Sequence, residues 1–260
     1  MTEPDVDMGA LYINDGGSFR EELFDGTHNM GSAAWLDVNR DGRIDLFLPN
    51  GHELNEEPTP GPNQIGINQG GDPPQFTILS PDGLSDGAGN GETCTVADVD
   101  KDGDIDIWYN GELGGHLYLN ENGSFAEGDS ARDAGLDVAW TGTQPWFASV
   151  FGDYDNDGDL DFFLSQQSGA PNLLFTNRSE NGSASFQLEE ELLHEDTGST
   201  LGAAWGDVDN DGDLDLALGS SPTRLYLNDE GNGFTDVADE VGLNDGSNSK
   251  TRSVAFADYD

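Results

Sequence analysis

Apolar residues in this chain come in short runs closed by Gly, Asn or Asp. Leu46-Phe47-Leu48, Leu117-Tyr118-Leu119 and Phe162-Phe163-Leu164 are typical. Such runs are too short for helices and rich in aromatic and branched residues, so they predict strands joined by tight turns. The one stretch with helical flavour, Asp236 to Glu240, predicts a single turn at most.

The runs recur in a fixed order. A small-apolar run comes first: Ala33-Ala34-Trp35, Ser149-Val150-Phe151, Ala203-Ala204-Trp205 and Val254-Ala255-Phe256 share one register. An acidic segment follows, then a compact apolar run, then a third run such as Leu225-Tyr226-Leu227-Asn228. A Gly/Asn turn leads to Ser124-Phe125 or Gly233-Phe234-Thr235, and the unit closes on Gly-Leu, as at Gly135-Leu136 and Gly242-Leu243. Successive acidic segments start 61, 55, 54 and 51 residues apart. Four strands at that period predict an all-β fold, a β-propeller of four-stranded blades. The units predict blades at about 30–84, 91–136, 146–193 and 199–243, with partial blades at 11–28 and 250–260. Leu11-Tyr12-Ile13-Asn14 and Ser18-Phe19 match a third and fourth strand, and Ser253 to Asp260 a first strand with the opening of its loop. Pairing those ends leaves a strand missing, so the expectation is a piece of a ring of six to eight blades.

The acidic segment reads Asp-x-Asp/Asn-x-Asp-Gly-x-Ile/Leu-Asp. Its odd positions are Asp37, Asn39, Asp41, Arg43 and Asp45 in the first copy, and Asp98, Asp100, Asp102, Asp104 and Asp106 in the second. They are Asp153, Asp155, Asp157, Asp159 and Asp161 in the third, and Asp207, Asp209, Asp211, Asp213 and Asp215 in the fourth. A fifth copy opens with Asp258 and Asp260. Gly at position 6 lets the chain curl so that oxygens at positions 1, 3, 5 and 9 converge. Position 7 is expected to offer its carbonyl with its side chain free to vary, and position 8 to anchor the loop in the core. Hard oxygen donors in a flexible loop predict Ca²⁺, with about four sites and a fifth incomplete; Mg²⁺ prefers a rigid octahedron, and no His or Cys joins the pattern to suit zinc. Without a cation, carboxylates ~5 Å apart repel by about 3 kcal/mol per pair at an effective dielectric near 20. An EF-hand requires a bidentate Glu at position 12, where this chain has Leu48, Tyr109, Leu164 and Leu218. Asn39 removes one ligand charge, so the first loop is expected to bind most weakly. Affinities are expected near those of extracellular modules, roughly 10⁻⁴ to 10⁻³ M.

Charge sharpens the picture. The net charge is −43, which excludes nucleic acid and anionic membranes as partners. Only 20 of the 52 acidic residues lie in the loops, leaving 32 others against 9 bases. Four Ca²⁺ ions therefore do not account for the imbalance, and a halophilic, haloarchaeal surface that salt screens is expected. Cys94 is the only cysteine, which excludes an intrachain disulfide and predicts a buried, inert thiol. No signal peptide is visible in Met1 to Asn14, and no apolar run is long enough to span a membrane.

On these loops the chain resembles the FG-GAP/VCBS repeat superfamily, known from the propellers of integrin α-subunits. Gly-Ala-Ala-Trp-Gly-Asp-Val-Asp-Asn-Asp-Gly-Asp-Leu-Asp-Leu at 202–216, followed by Arg224 to Asn228 and Gly233 to Val237, is similar to the cartilage acidic protein and UnbV (ASPIC) branch. It departs at Met30-Gly31 and Leu201-Gly202, where the name-giving Phe-Gly would stand, and keeps Gly-Ala-Pro at Gly169-Ala170-Pro171. The resemblance implies calcium between the first two strands of each blade and a binding or adhesion role, commonly extracellular or at the cell surface. The expected partner is a protein or carbohydrate, the expected catalytic residues none.

Other candidates carry less. His28, His52, His116 and His194 share no motif spacing. Trp140 and Trp146 bracket an insertion, Thr141 to Pro145, that suits packing better than a ligand platform. Asn122, Asn177 and Asn181 begin Asn-x-Ser triplets open to glycans if the protein is exported. The alternatives to a recognition scaffold are a polysaccharide lyase or hydrolase, or a structural module of a larger surface protein.

Overall fold

The computed structural model describes residues 8–25, 32–49, 62–84, 93–111, 114–125, 130–136, 148–165, 171–190, 192–193, 199–244 and 251–258. His28, His52, His194, Trp140, Trp146, the Thr141–Pro145 insertion, Met30, Gly31, Gly169, Ala170 and Asp260 lie outside them.

The apolar runs become strands, except Val254-Ala255-Phe256, expected as a first strand, which forms none. Strands β1 (Met8–Asp15) and β2 (Ser18–Asp25) form a hairpin. Strands β3 (Ala34–Leu36), β4 (Asp45–Leu48), β5 (Gln64–Asn68) and β6 (Phe76–Leu79) form an antiparallel sheet in sequence order. In the next unit β7 (Thr93–Ala97), β8 (Asp106–Gly111) and β9 (Gly114–Tyr118) pair, and β10 (Asn120–Glu121) pairs with β11 (Ser124–Phe125). Strands β12 (Ser149–Gly152), β13 (Asp161–Leu164), β14 (Leu173–Asn177) and β15 (Phe186–Leu188) repeat the four-stranded order. So do β16 (Gly202–Gly206), β17 (Asp215–Gly219), β18 (Arg224–Asn228) and β19 (Phe234–Asp236). The Asp236–Glu240 stretch is the end of β19 and a turn, and the described helical turns stand instead at Asp82–Leu84 and Ser130–Asp133.

Successive sheets meet through their first strands: β3 lies against β7, β7 against β12, and β12 against β16. This is a β-propeller with four-stranded blades. The second strand of a blade is buried on both faces, and its period-2 alternation divides it between two cores. Ile107 and Tyr109 pack toward the preceding blade with Phe47 and Ile65, while Trp108 joins Phe162, Leu164 and Phe175 of the following one. Phe163 points the other way, to Leu216 and Leu218.

Two glycines mark where blades press closest. A Cβ on Gly152 would lie 2.5 Å from the Trp205 ring, and one on Gly206 the same distance from Phe256. The glycine before the third and the fourth loop thus receives the aromatic two places before the loop that follows. The Gly-Leu closures tuck Leu84 and Leu136, almost wholly buried, under the following blade, where the glycine backs onto the Phe125 or Phe186 carbonyl. Among the described residues no helix is long and apolar enough to cross a membrane.

Candidate metal centres

The acidic segments connect the first and second strands of each blade. Two left-handed residues make the curl. One is the expected Gly at position 6, with φ of 81°, 89°, 91° and 100° for Gly42, Gly103, Gly158 and Gly212. The other is position 4, with φ of 56°, 64°, 59° and 62° for Arg40, Lys101, Asn156 and Asn210. Asn adopts this region readily, whereas Arg and Lys do so at a cost of roughly 1 kcal/mol.

Backbone amides hold one oxygen of each acid. The position 6 amide donates to position 1, from Gly42 to Asp37 Oδ2 at 2.8 Å and from Gly158 to Asp153 Oδ2 at 3.0 Å. The position 5 amide donates to position 3, as from Asp102 to Asp100 Oδ1 at 3.2 Å. The position 7 amide donates to position 5, as from Asp104 to Asp102 Oδ1 at 2.7 Å. Position 9 accepts two amides. Asp161 takes Tyr154 N–H on Oδ2 at 3.0 Å and Asn177 N–H on Oδ1 at 2.8 Å, and Asp45, Asp106 and Asp215 repeat the arrangement. The remaining lone pairs converge. Asp98, Asp100 and Asp106 bring one oxygen each within 4.8 Å of one another, as do Asp153, Asp155 and Asp161, and Asp207, Asp209 and Asp215. Position 5 falls outside these triads. Asp258 is exposed.

The centres are electrostatically unsettled. Burial pushes the Asp106 and Asp161 carboxyls up to about 7. It also raises Asp45, Asp100 and Asp155, with neighbouring loop carboxylates adding to the effect. Asp98 Oδ1 and Asp153 Oδ1 are buried without a hydrogen-bond partner. An all-oxygen donor set with orphaned carboxylate oxygens fits a hard divalent cation.

Two expectations change. Position 8 anchors the loop unevenly: Ile44 is 52% and Leu160 36% exposed, whereas Ile105 packs half-buried against the core. Position 2 is the anchor in three loops, with Val38, Val99 and Tyr154 buried, while Val208 in the fourth is exposed. Nor is the position 7 side chain free. Asp104, Asp159 and Asp213 are buried, and each holds position 4 of the preceding loop: Arg40 Nε on Asp104 Oδ1 at 2.8 Å, Lys101 Nζ on Asp159, and Asn156 Nδ2 on Asp213 Oδ1 at 2.7 Å. In the first loop Arg43 occupies position 7 and pairs with Asp41.

One functional residue type escaped the motif. In three units an Asn at or just after the end of the third strand clasps two blades. Asn120 Nδ2 donates to Val38 O of the preceding loop at 2.9 Å and to Ile105 O of its own at 3.1 Å. Asn177 bridges Val99 O and Leu160 O, and Asn228 bridges Tyr154 O and Leu214 O. Its recurrence is visible, but its variable distance from the loop hides the link. Asn177 is 1% exposed with its amide committed, so its Asn-x-Ser triplet cannot take a glycan in the folded chain, whereas Asn122 and Asn181 are exposed. Cys94 accepts a hydrogen bond from Ser32 at 3.3 Å, and burial pushes its thiol up to about 11, as befits an inert group.

The family of FG-GAP-like repeats matches residues 98–164 and 153–218, each match opening at position 1 of a loop and closing in a second strand. Residues 98–218 are thus similar to FG-GAP-like repeats. Cartilage acidic protein 1 from Xenopus tropicalis is 30% identical over 166 residues, covering 61% of this chain and 25% of that protein. Its Mus musculus counterpart is 29% identical over 187 residues, covering 66% and 28%. The chain therefore spans about a quarter of the length of these relatives. Among solved structures, an Agrocybe aegerita lectin described as recognising non-reducing terminal N-acetylglucosamine superposes with a TM-score of 0.54 at 20% identity. That match covers 87% of this chain and 58% of the lectin, and it extends the propeller likeness beyond the matched FG-GAP-like repeats.

Proposed function

We propose that this chain is a calcium-stabilised propeller that serves as a non-enzymatic recognition or adhesion scaffold. The supporting observation is the threefold recurrence of an aspartate triad whose oxygens lie within 4.8 Å, two with an orphaned buried oxygen. Positions 1, 3 and 9 would hold the ion, with position 5 and the position 7 carbonyl completing an oxygen shell. A bound Ca²⁺ would keep these carboxylates ionised and tie the first two strands of a blade together. Its role is structural, and no reaction step is assigned to it.

The scaffold reading rests on the FG-GAP-like repeats and the propeller fold they share with a lectin. A protein or carbohydrate is the proposed partner. Nucleic acid is not, since a net charge of −43 repels phosphate.

Chelation is the direct test. At fixed salt, EDTA should lower the melting temperature sharply, and added Ca²⁺ should restore it; an unchanged melt contradicts the proposal. Screening a glycan array that includes N-acetylglucosamine-terminated glycans, followed by a reducing-sugar assay, tests the scaffold role. Capture without cleavage supports it, and cleavage overturns it.

A further inference from the structure

Four of the chain's nine Lys and Arg residues sit on loop carboxylates. Arg40 pairs with Asp104 of the second loop and Arg43 with Asp41 of its own first loop. Lys101 pairs with Asp159, and Arg178 Nη1 lies 3.4 Å from Asp157 Oδ2, both in the third loop. In a chain with 52 acids, few bases and many exposed carboxylates to choose from, this placement is selective.

The fourth loop is treated differently. Its five odd positions are all Asp, and its position 7 carboxylate receives the neutral amide of Asn156. Where the third blade has Arg178 after its clasping Asn, the fourth has Asp229. Among the described residues no basic side chain pairs with a carboxylate of this loop. The first loop lies at the other extreme, with Asn39 and Arg43 in place of two acids.

We propose that these Arg and Lys side chains act as built-in counter-ions that grade the cation affinity of the four loops, the fourth binding first, then the second, then the third, and the first last. The inference rests on the calcium reading above. A fixed positive charge competes with a divalent ion for the field of the same carboxylates. One side-chain length away, in a near-aqueous dielectric, a unit charge changes divalent affinity by roughly tenfold. The position 4 side chain acts on the following loop, so through it a blade adjusts its neighbour's affinity, whereas Arg43 and Arg178 act on the loop of their own blade.

The opposite role is a mechanical one. If Lys101 merely steadied the third loop, removing it would loosen the site and weaken binding. If it competes with the ion, removing its charge strengthens binding. The two readings predict opposite signs.

The test is a Ca²⁺ titration of the full isotope-labelled chain at low ionic strength, following the amides of Gly42, Gly103, Gly158 and Gly212 as one reporter per loop. The Gly212 signal should complete its shift first and that of Gly42 last. Lys101→Gln should tighten the third loop about tenfold, and Asn156→Lys should weaken the fourth by about the same factor, leaving the other loops unchanged. Arg40 and Lys101 already occupy the same left-handed position, so Asn156→Lys is compatible with the fold. In 1 M NaCl the four midpoints should draw together. Four reporters moving at one midpoint, or a third loop weakened by Lys101→Gln, overturn the grading alone. No reporter responding to Ca²⁺ overturns the calcium reading and the grading together.

Discussion

Asp106 and Asp161 show what a single carboxylate must reconcile. Each is almost fully buried, accepts two backbone amides, and still titrates near 7 because desolvation outweighs those bonds. In an unfolded chain the same groups titrate at about 3.9. A folded value above the unfolded one means the fold prefers the protonated acid. That stabilisation is complete below about pH 4 and is lost as pH rises through 7. In EDTA the melting temperature should therefore fall between pH 5 and pH 8. With saturating Ca²⁺ the trend should reverse, because the ion binds the ionised form. A melting temperature that climbs with pH in EDTA would refute this account of the two residues. The convergence of positions 1, 3 and 9 and the curl at position 6 were legible at this scale from donor chemistry and glycine's freedom, whereas position 5, expected with them, falls outside the triads. Positions 4 and 8 were not, because a left-handed Arg or Lys and an exposed Ile or Leu run against the ordinary preferences of those residues.

Among elements, the third strand matters more than its short length suggests. In β14 and β18 it ends on the Asn whose amide joins its own loop to the preceding one. Asn177→Ala would leave Val99 O and Leu160 O without that donor and Ser179 N–H without its acceptor. Urea unfolding should show a loss of about 2–4 kcal/mol, against a negligible change for the exposed neighbour Glu180→Ala. A variant as stable as the parent would show that the blades do not depend on this clasp. The strands themselves were readable from their apolar runs, and position 12 in the heart of a second strand separated these loops from EF-hands. The clasp was not, because it acts between units while sequence comparison aligns within them. The Gly-Leu closure was visible as a repeat, but its use as a wedge beneath the following blade required the close approach of Gly83 and Gly135 to a neighbouring backbone.

For the molecule as a whole, charge sets the conditions under which the packing suffices. A net −43 repels itself in dilute buffer, and only part of it lies in loops that a cation can neutralise. Even with Ca²⁺ held saturating, the melting temperature should rise by several degrees between 0.1 M and 2 M NaCl. Matched ionic strength from KCl should give a similar rise, because screening depends on ion concentration rather than identity. A flat response would place the surplus acids too far apart to interact. Composition announced this scale plainly, but not that the few bases are gathered at the loops, since only the folded arrangement brings position 4 of one unit to position 7 of the next.

The clasping Asn has a consequence for how the protein is made. As the chain leaves the ribosome, each acidic loop emerges before the strand whose amide closes over its position 2 carbonyl. That strand belongs to the following unit, more than 75 residues later for Val38 and Asn120. Each of the first three loops therefore keeps one main-chain acceptor without its Asn donor until the next unit has been translated.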